Sequence, residues 1–259
     1  MPDVGPKVTA VGGVQWIAID PPVPFSAEVD GLSFDVSRSW PPSRVAIRGA
    51  REGTSELRLE EPFIGALYDR ISLSVRTMAS LELWPLGIGS ALLAGSGVRC
   101  VVRLYASDAA LRLVDEGIHL SSTTTISVTP TNEWDVVEVR ASRAGTGSVQ
   151  VTMSDGETRT VQVEVVASVE SIAAPGLAAS SALKVGDNPV VCFDALSQGR
   201  HVAGALWSFS ASASLSATPL SGLDAPNCVM LRSSTPGVAT LSVDASGLEQ
   251  DFEIQVVAR

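Results

Sequence analysis

Two histidines, three cysteines and five tryptophans carry most of the reactive or ligand-binding potential of this 259-residue chain. A hydrolytic triad needs Ser, His and Asp brought together from several segments. His119 and His201 stand in no spaced cluster of acids or cysteines, and no G-x-S-x-G elbow occurs. Both read as surface or loop histidines, and no catalytic residue is assigned. Cys100, Cys192 and Cys228 form no C-x-x-C, so no zinc site is indicated, and buried thiols are the default reading. Asp115–Glu116 and Asp187–Asn188 offer oxygens for calcium, but the D-x-D-x-D-G series of a dedicated calcium loop is absent. No metal and no cofactor are therefore expected. Trp16, Trp40, Trp84, Trp134 and Trp207 do not cluster. Trp207 is expected in a core. Trp40, before Pro41–Pro42, and Trp134, after Asn132–Glu133, are the candidates for exposed contacts, as interface anchors or platforms for a sugar ring.

Charge narrows the partners. The formal net charge is −10. Residues 1–77 hold 8 basic and 10 acidic side chains, residues 78–167 hold 6 and 10, and residues 168–259 hold 4 and 8. No segment carries the basic footprint of a phosphate-backbone binder, so nucleic-acid binding is not expected. No stretch reaches the 18 or so apolar residues of a membrane helix; Leu81–Gly95 is too short and holds Glu82 and Pro85. The opening MPDVGPKVTA has no apolar run behind a basic start. Two readings follow, a complete reading frame or a fragment cut from a secreted protein, and the complete frame is the expectation.

The elements that must position these side chains are announced by a repeat. Residues 45–53 read VAIRGAREG, residues 137–145 read VEVRASRAG, and residues 229–237 read VMLRSSTPG. Val45, Val137 and Val229 stand 92 positions apart, as do Arg48, Arg140 and Arg232, and Gly53, Gly145 and Gly237. A fixed period of this size marks an array of similar domains. We place them at 1–77, 78–167 and 168–259. The recurring arginines are read as surface residues with packed stems. Each unit ends on apolar alternation of period two: Ile71/Leu73/Val75, Val161/Val163/Val165 and Phe252/Ile254/Val256. Hairpin turns are signalled by Ser154–Asp155–Gly156–Glu157 and Ala245–Ser246–Gly247. SLELWPL (80–86) and SIAAPGL (171–177) read as first strands, and GVRCVVRLYA (97–106) and PVVCFDAL (189–196) as second strands. Third strands are expected at 118–128 and 204–210. Between second and third, Ser107 would cap a helix over ASDAALRLVDE that Gly117 would end, with a connecting loop as the alternative. Linkers at 76–79 and 167–170 are too short for a flexible tether, which predicts a semi-rigid rod. The first unit is atypical, beginning with KVTAV and VQWIAID.

Units two and three resemble the bacterial immunoglobulin-like repeats known as BIg2. The matching segments are LKVGDNPVVC (183–192), GALWSFSAS (204–212) and PGVATLSVDASG (236–247), with LLAGSGVRCVV (92–102) and AGTGSVQVTMSDG (144–156) in unit two. Unit two has no Trp on its third strand. The resemblance implies an all-β fold of tandem immunoglobulin-like β-sandwich domains, without shared catalytic residues. A bridge between Cys192 and Cys228 is conceivable. Cys228, however, falls on the fifth strand, not the sixth, where an immunoglobulin core disulfide would end, so thiols remain the expectation. The functional expectation is a non-enzymatic structural protein at a virion surface, such as a phage capsid decoration or tail protein. Its partner would be a capsid, tail or cell-surface protein, docked through the atypical first unit. The alternatives are a bacterial adhesin stalk at the cell surface and a carbohydrate-binding module contacting host glycans.

Overall fold

The 92-residue block folds the same way three times. A computed structural model describes residues 8–18, 26–30, 34–38, 44–60, 63–86, 89–107, 112–113, 115–133, 135–177, 182–220 and 226–258. In the first copy of the block, the strand Arg44–Gly49 is followed by Gly53–Glu60. The second copy gives Val136–Ala141 and Gly145–Thr152, and the third gives Cys228–Ser233 and Gly237–Ala245. In every copy the two strands belong to different sheets. The block is therefore where the chain steps across a β-sandwich. Val45, Val137 and Val229 are buried on the inner face, and Arg48, Arg140 and Arg232 point outward. The glycine at the crossing is conformational: Gly145 and Gly237 have φ of 134° and 140°, where a side chain is strained even though the space around them is open.

Contacts divide the chain into two compact units. One comprises Met1–Pro85, Arg99–Val139 and Ser148–Gln162; the other comprises Leu86–Val98, Arg140–Gly147 and Val163–Arg259. In the first unit, Val8–Ala10 pairs parallel with the last strand of its repeat, with Val8 opposite Ser74. That strand, Leu67–Arg76, pairs antiparallel with Gly53–Glu60, which pairs with Ser26–Asp30. The facing sheet orders Val14–Ala18, Arg44–Gly49 and Phe34–Arg38. The bend at 11–13 thus carries the chain from one sheet to the other within three residues. Ile17, Val45, Ile47, Leu57, Leu59, Leu73 and Val75 fill the space between the sheets, every second residue of each strand. Met78–Trp84 pairs antiparallel with Gly97–Ala106, the latter spanning the residues expected for a second strand. The helix expected after Ser107 does not form over the described residues. Arg112–Leu113 is instead an edge strand, with Leu113 opposite Leu104 and 1% exposed. Sheet pairing with an apolar neighbour outweighs the helical preference of this stretch.

In the second unit, Ser90–Leu93 lies between two parallel partners: Ala91 faces Glu164 on one side and Val202 on the other. Leu183–Lys184 pairs parallel with Leu248–Val257, 92 positions after the equivalent Leu92 contact. The segment expected as a single second strand divides at Phe193. Val190–Cys192 joins Cys228–Ser233, while Asp194–Ser197 joins Arg200–Ala203 and Ser171–Ala173. Phe193 is fully buried, its ring 5.7 Å from Phe209 and 5.3 Å from Phe252. Trp207 packs half-buried against this core, stacked 6.4 Å from Phe209.

The cysteine expectation is corrected here. Cys192 and Cys228 are directly opposed on neighbouring antiparallel strands, with Cα atoms 4.0 Å apart, and they form a disulfide. The bridge lies within one sheet, so the inter-sheet position sought in the sequence does not apply. Cys100 is buried.

Candidate functional site

A fully buried carboxylate lies where the first repeat meets the second. Asp115 is 0% exposed. It follows the short strand Arg112–Leu113 and opens a tight turn, accepting from Gly117 N through Oδ1 at 3.0 Å. The same oxygen accepts from Val14 N of the first repeat at 3.1 Å and from Ser154 Oγ at 2.5 Å. Oδ2 accepts from Ser154 N at 3.1 Å. Ser154 belongs to the hairpin turn read from the sequence, closed by Met153 N donating to Glu157 O at 2.7 Å. Val14 O in turn accepts from Glu116 N at 2.7 Å, so both backbone groups of Val14 are held by the second repeat. Three glycines make the approach close enough. A Cβ on Gly13 would lie 3.2 Å from Asp115 Cβ, one on Gly12 would strike the Asp155 carboxylate, and one on Gly117 would strike Ser154 Oγ.

A carboxylate offers about four acceptor sites, and here four donors meet it. That arrangement is a latch between two copies of the repeat within one compact unit and leaves little for a cation. Asp187 and Asn188 sit exposed in a loop. Among the described residues no group of three or more His, Cys, Asp and Glu side chains is placed to hold a metal ion. His119 is exposed on the strand His119–Ser122, and His201 Nδ1 lies 3.7 Å from Asp194 Oδ1 on an exposed face. Trp40 and Trp134 lie outside the described residues.

Two surface features were not singled out in the sequence. The hairpin joining Gly53–Glu60 to Leu67–Arg76 carries Phe63, Ile64, Leu67 and Tyr68 at 89%, 80%, 51% and 49% exposure. Its signal is an apolar run, FIGALY, between EEP and DR where polar turn residues belong. The second unit holds an open groove of about 750 Å³ lined by Leu93, Gly95, Gly97, Leu206, Asp244 and Ser246 among others. A third, smaller feature is Trp84, half-exposed, with the Arg103 guanidinium 4.5 Å above its ring.

No family model matches the chain, and no curated protein matches it. Solved structures match it at low identity and low structural overlap. Domains 5–6 of the S-layer protein SbsC are 15% identical over 70% of this chain and 98% of that one, with a TM-score of 0.34. A longer piece of SbsC is 14% identical over 90% of this chain, which spans 35% of its length, with a TM-score of 0.32. The Escherichia coli adhesin FdeC is 15% identical over 98% of this chain and 95% of that one, at 0.28. An endo-fucoidan hydrolase of glycoside hydrolase family 107 is 11% identical over 98% of this chain and 43% of its own, at 0.30.

Proposed function

We propose that this chain is a non-enzymatic structural component of a surface assembly, displaying tandem domains of the bacterial immunoglobulin-like repeat type at a virion surface as a capsid decoration or tail protein. The observation that carries the reading is the Asp115 latch. Asp115 is the one fully buried acidic side chain among the described residues, and it ties Val14 of the first repeat to the Ser154 turn of the second within one compact unit. In enzymes, perturbed and buried acids gather in clefts with nucleophiles or bases. Here the buried acid is aimed at backbone amides where two copies of the repeat meet, which serves fixed presentation of the repeats. A second reading, a stalk at a bacterial cell surface, is favoured by the Cys192–Cys228 bridge. Disulfides persist where the surroundings are oxidising, and an exported chain meets such surroundings before it assembles.

Gradient fractionation of the native source, with peptides of this chain followed by mass spectrometry, separates the two. Co-sedimentation with virus-sized particles at a fixed ratio to a major capsid or tail protein supports the virion role. Recovery with the cell envelope overturns it in favour of the stalk.

A further inference from the structure

We infer that this chain carries tension along its length, and that its third repeat is the element that yields first, with the Cys192–Cys228 bridge limiting how far it opens. The inference rests on the structural role proposed above, since a chain tethered in a surface assembly is pulled along its length. In each repeat a short early strand runs parallel to that repeat's own last strand: Val8–Ala10 with Leu67–Arg76, Ser90–Leu93 with Thr158–Val166, and Leu183–Lys184 with Leu248–Val257. Just beyond each short strand a backbone N–H donates to a carbonyl at the end of the last strand. Val11 N donates to Arg76 O at 3.0 Å, Ala94 N to Val166 O at 2.9 Å and Val185 N to Val257 O at 3.0 Å. The same joint is thus built three times.

Parallel pairing decides how the joint meets a pull. The early strand enters at one end of the joint and the last strand leaves at the other, so tension slides the two strands past each other and loads their hydrogen bonds together. In an antiparallel pair both chain ends leave at the same side, and tension opens the bonds one at a time. Burial keeps water from competing for the bonds: Val8, Thr9 and Ala10 are all buried, as are Ala91, Leu92 and Leu93.

The third joint is the weakest of the three. Leu183–Lys184 is two residues long, against three for Val8–Ala10 and four for Ser90–Leu93. Leu183 is buried but Lys184 is exposed. Ahead of it stands the three-residue strand Ser171–Ala173, whereas the strand ahead of the second joint, Met78–Trp84, has seven residues. The third repeat also holds the bridge. Cys192 and Cys228 are separated by 36 positions and an extended residue spans about 3.5 Å, so the bridge withholds about 120–130 Å of extension. That is roughly half of the reach of the chain from Leu183 to Val257. The third repeat therefore gives way, lengthens by a fixed amount, and keeps residues 193–227 out of the stretched path.

The test stretches the full chain between handles at its two ends in single-molecule force spectroscopy, without and with dithiothreitol. The two thiols of the reductant convert the bridge to two cysteine thiols and close into a cyclic disulfide themselves. The event at lowest force should lengthen by about 120–130 Å in the reductant, while the later events keep their lengths. An unchanged length for the first event overturns the inference, because another repeat then yields first. A second arm moves one handle from the C-terminus to Glu249→Cys, an exposed position near the start of the last strand, so that the pull peels Leu183–Lys184 from one end. The force of the bridged event should then fall by more than about twofold, since forced unfolding follows the barrier along the pull and not the equilibrium stability. Equal force in the two directions overturns the parallel joint as the element that resists. Gradient fractionation reads location and these traces read mechanics, so either reading can fail while the other stands.

Discussion

Replacing Asp115 by alanine removes the acceptor of four donors at once. Val14 N, Gly117 N and Ser154 N stand 3.1, 3.0 and 3.1 Å from its oxygens, and Ser154 Oγ stands 2.5 Å away. A buried donor left without an acceptor costs about 1–3 kcal/mol. The four do not add in full, since the serine hydroxyl rotates and water enters the space the carboxylate leaves. The net loss is about 3–5 kcal/mol, the range for breaking a buried charged network. The loss is local, because an array of domains opens piece by piece. Amide hydrogen exchange is therefore the assay. At about 1.4 kcal/mol per tenfold, even the lower figure accelerates exchange of the Val14 amide roughly a hundredfold. The amide of Val243, paired with Gln250 in the third repeat, is the internal control and stays unchanged. Asp115→Asn keeps the Oδ1 contacts but turns an NH2 group toward Ser154 N, losing about 1.5–3 kcal/mol of charge-assisted bonding. Exchange at Val14 within about twofold of wild type in Asp115→Ala would refute the latch, because no opening cost of this size would then rest on the carboxylate.

Two further outcomes follow from the repeat and the bridge. The Cys192–Cys228 bridge spans a sequence separation of 36, so Cys192→Ser/Cys228→Ser lowers stability by about 4 kcal/mol on the chain-entropy account. Urea unfolding followed by Trp207 fluorescence reads it, and an unchanged midpoint contradicts it. Gly145→Ala and Gly237→Ala place a side chain at φ of 134° and 140° in open space, so each costs about 1–2 kcal/mol from backbone strain alone. The two costs should match and add within about 0.5 kcal/mol in denaturant unfolding of the double variant. A neutral effect at either site would mean that the crossing tolerates an ordinary backbone.

The internal architecture of each repeat was legible because it is local. The step from Val45 through Gly53, repeated at 137–145 and 229–237, reads directly as a strand, a turn and a second strand, and Gly97–Ala106 falls where its alternation places it. What the chain does across long separations was not legible. Val8–Ala10 pairs with a strand more than sixty residues away, and no pattern within three residues announces a parallel partner. PVVCFDAL reads as one strand, but Phe193 turns into a core shared with Phe209 and Phe252, and the two halves join different sheets. That break places Cys192 opposite Cys228. Asp115 carries a local signal, an Asp with Gly two positions on, which marks a turn. Its partner Val14 lies 101 residues away, so the role of the turn as a latch is a property of the fold alone.

The comparison of successive junctions explains how a strongly periodic chain acquires distinct surfaces. The sheet-crossing block must be kept in every copy, because a shift of one residue would turn Val45, Val137 or Val229 out of its core. The loop between second and third strands is under no such demand, since its side chains meet only whatever stands beside the hairpin turn. In the second repeat it supplies Asp115, and the meeting with the first repeat is closed by charge-assisted bonds. In the third it supplies the backbone of Leu206, which binds the turn of its own repeat through Ser246, while Arg200–Ala203 pairs directly with Ser90–Leu93 of the second. The two meetings are thus closed by different means, a buried carboxylate in one and a parallel strand pair in the other. In such a chain the contacts between copies fall to positions that depart from the repeat, because the positions that do recur are already committed to the cores.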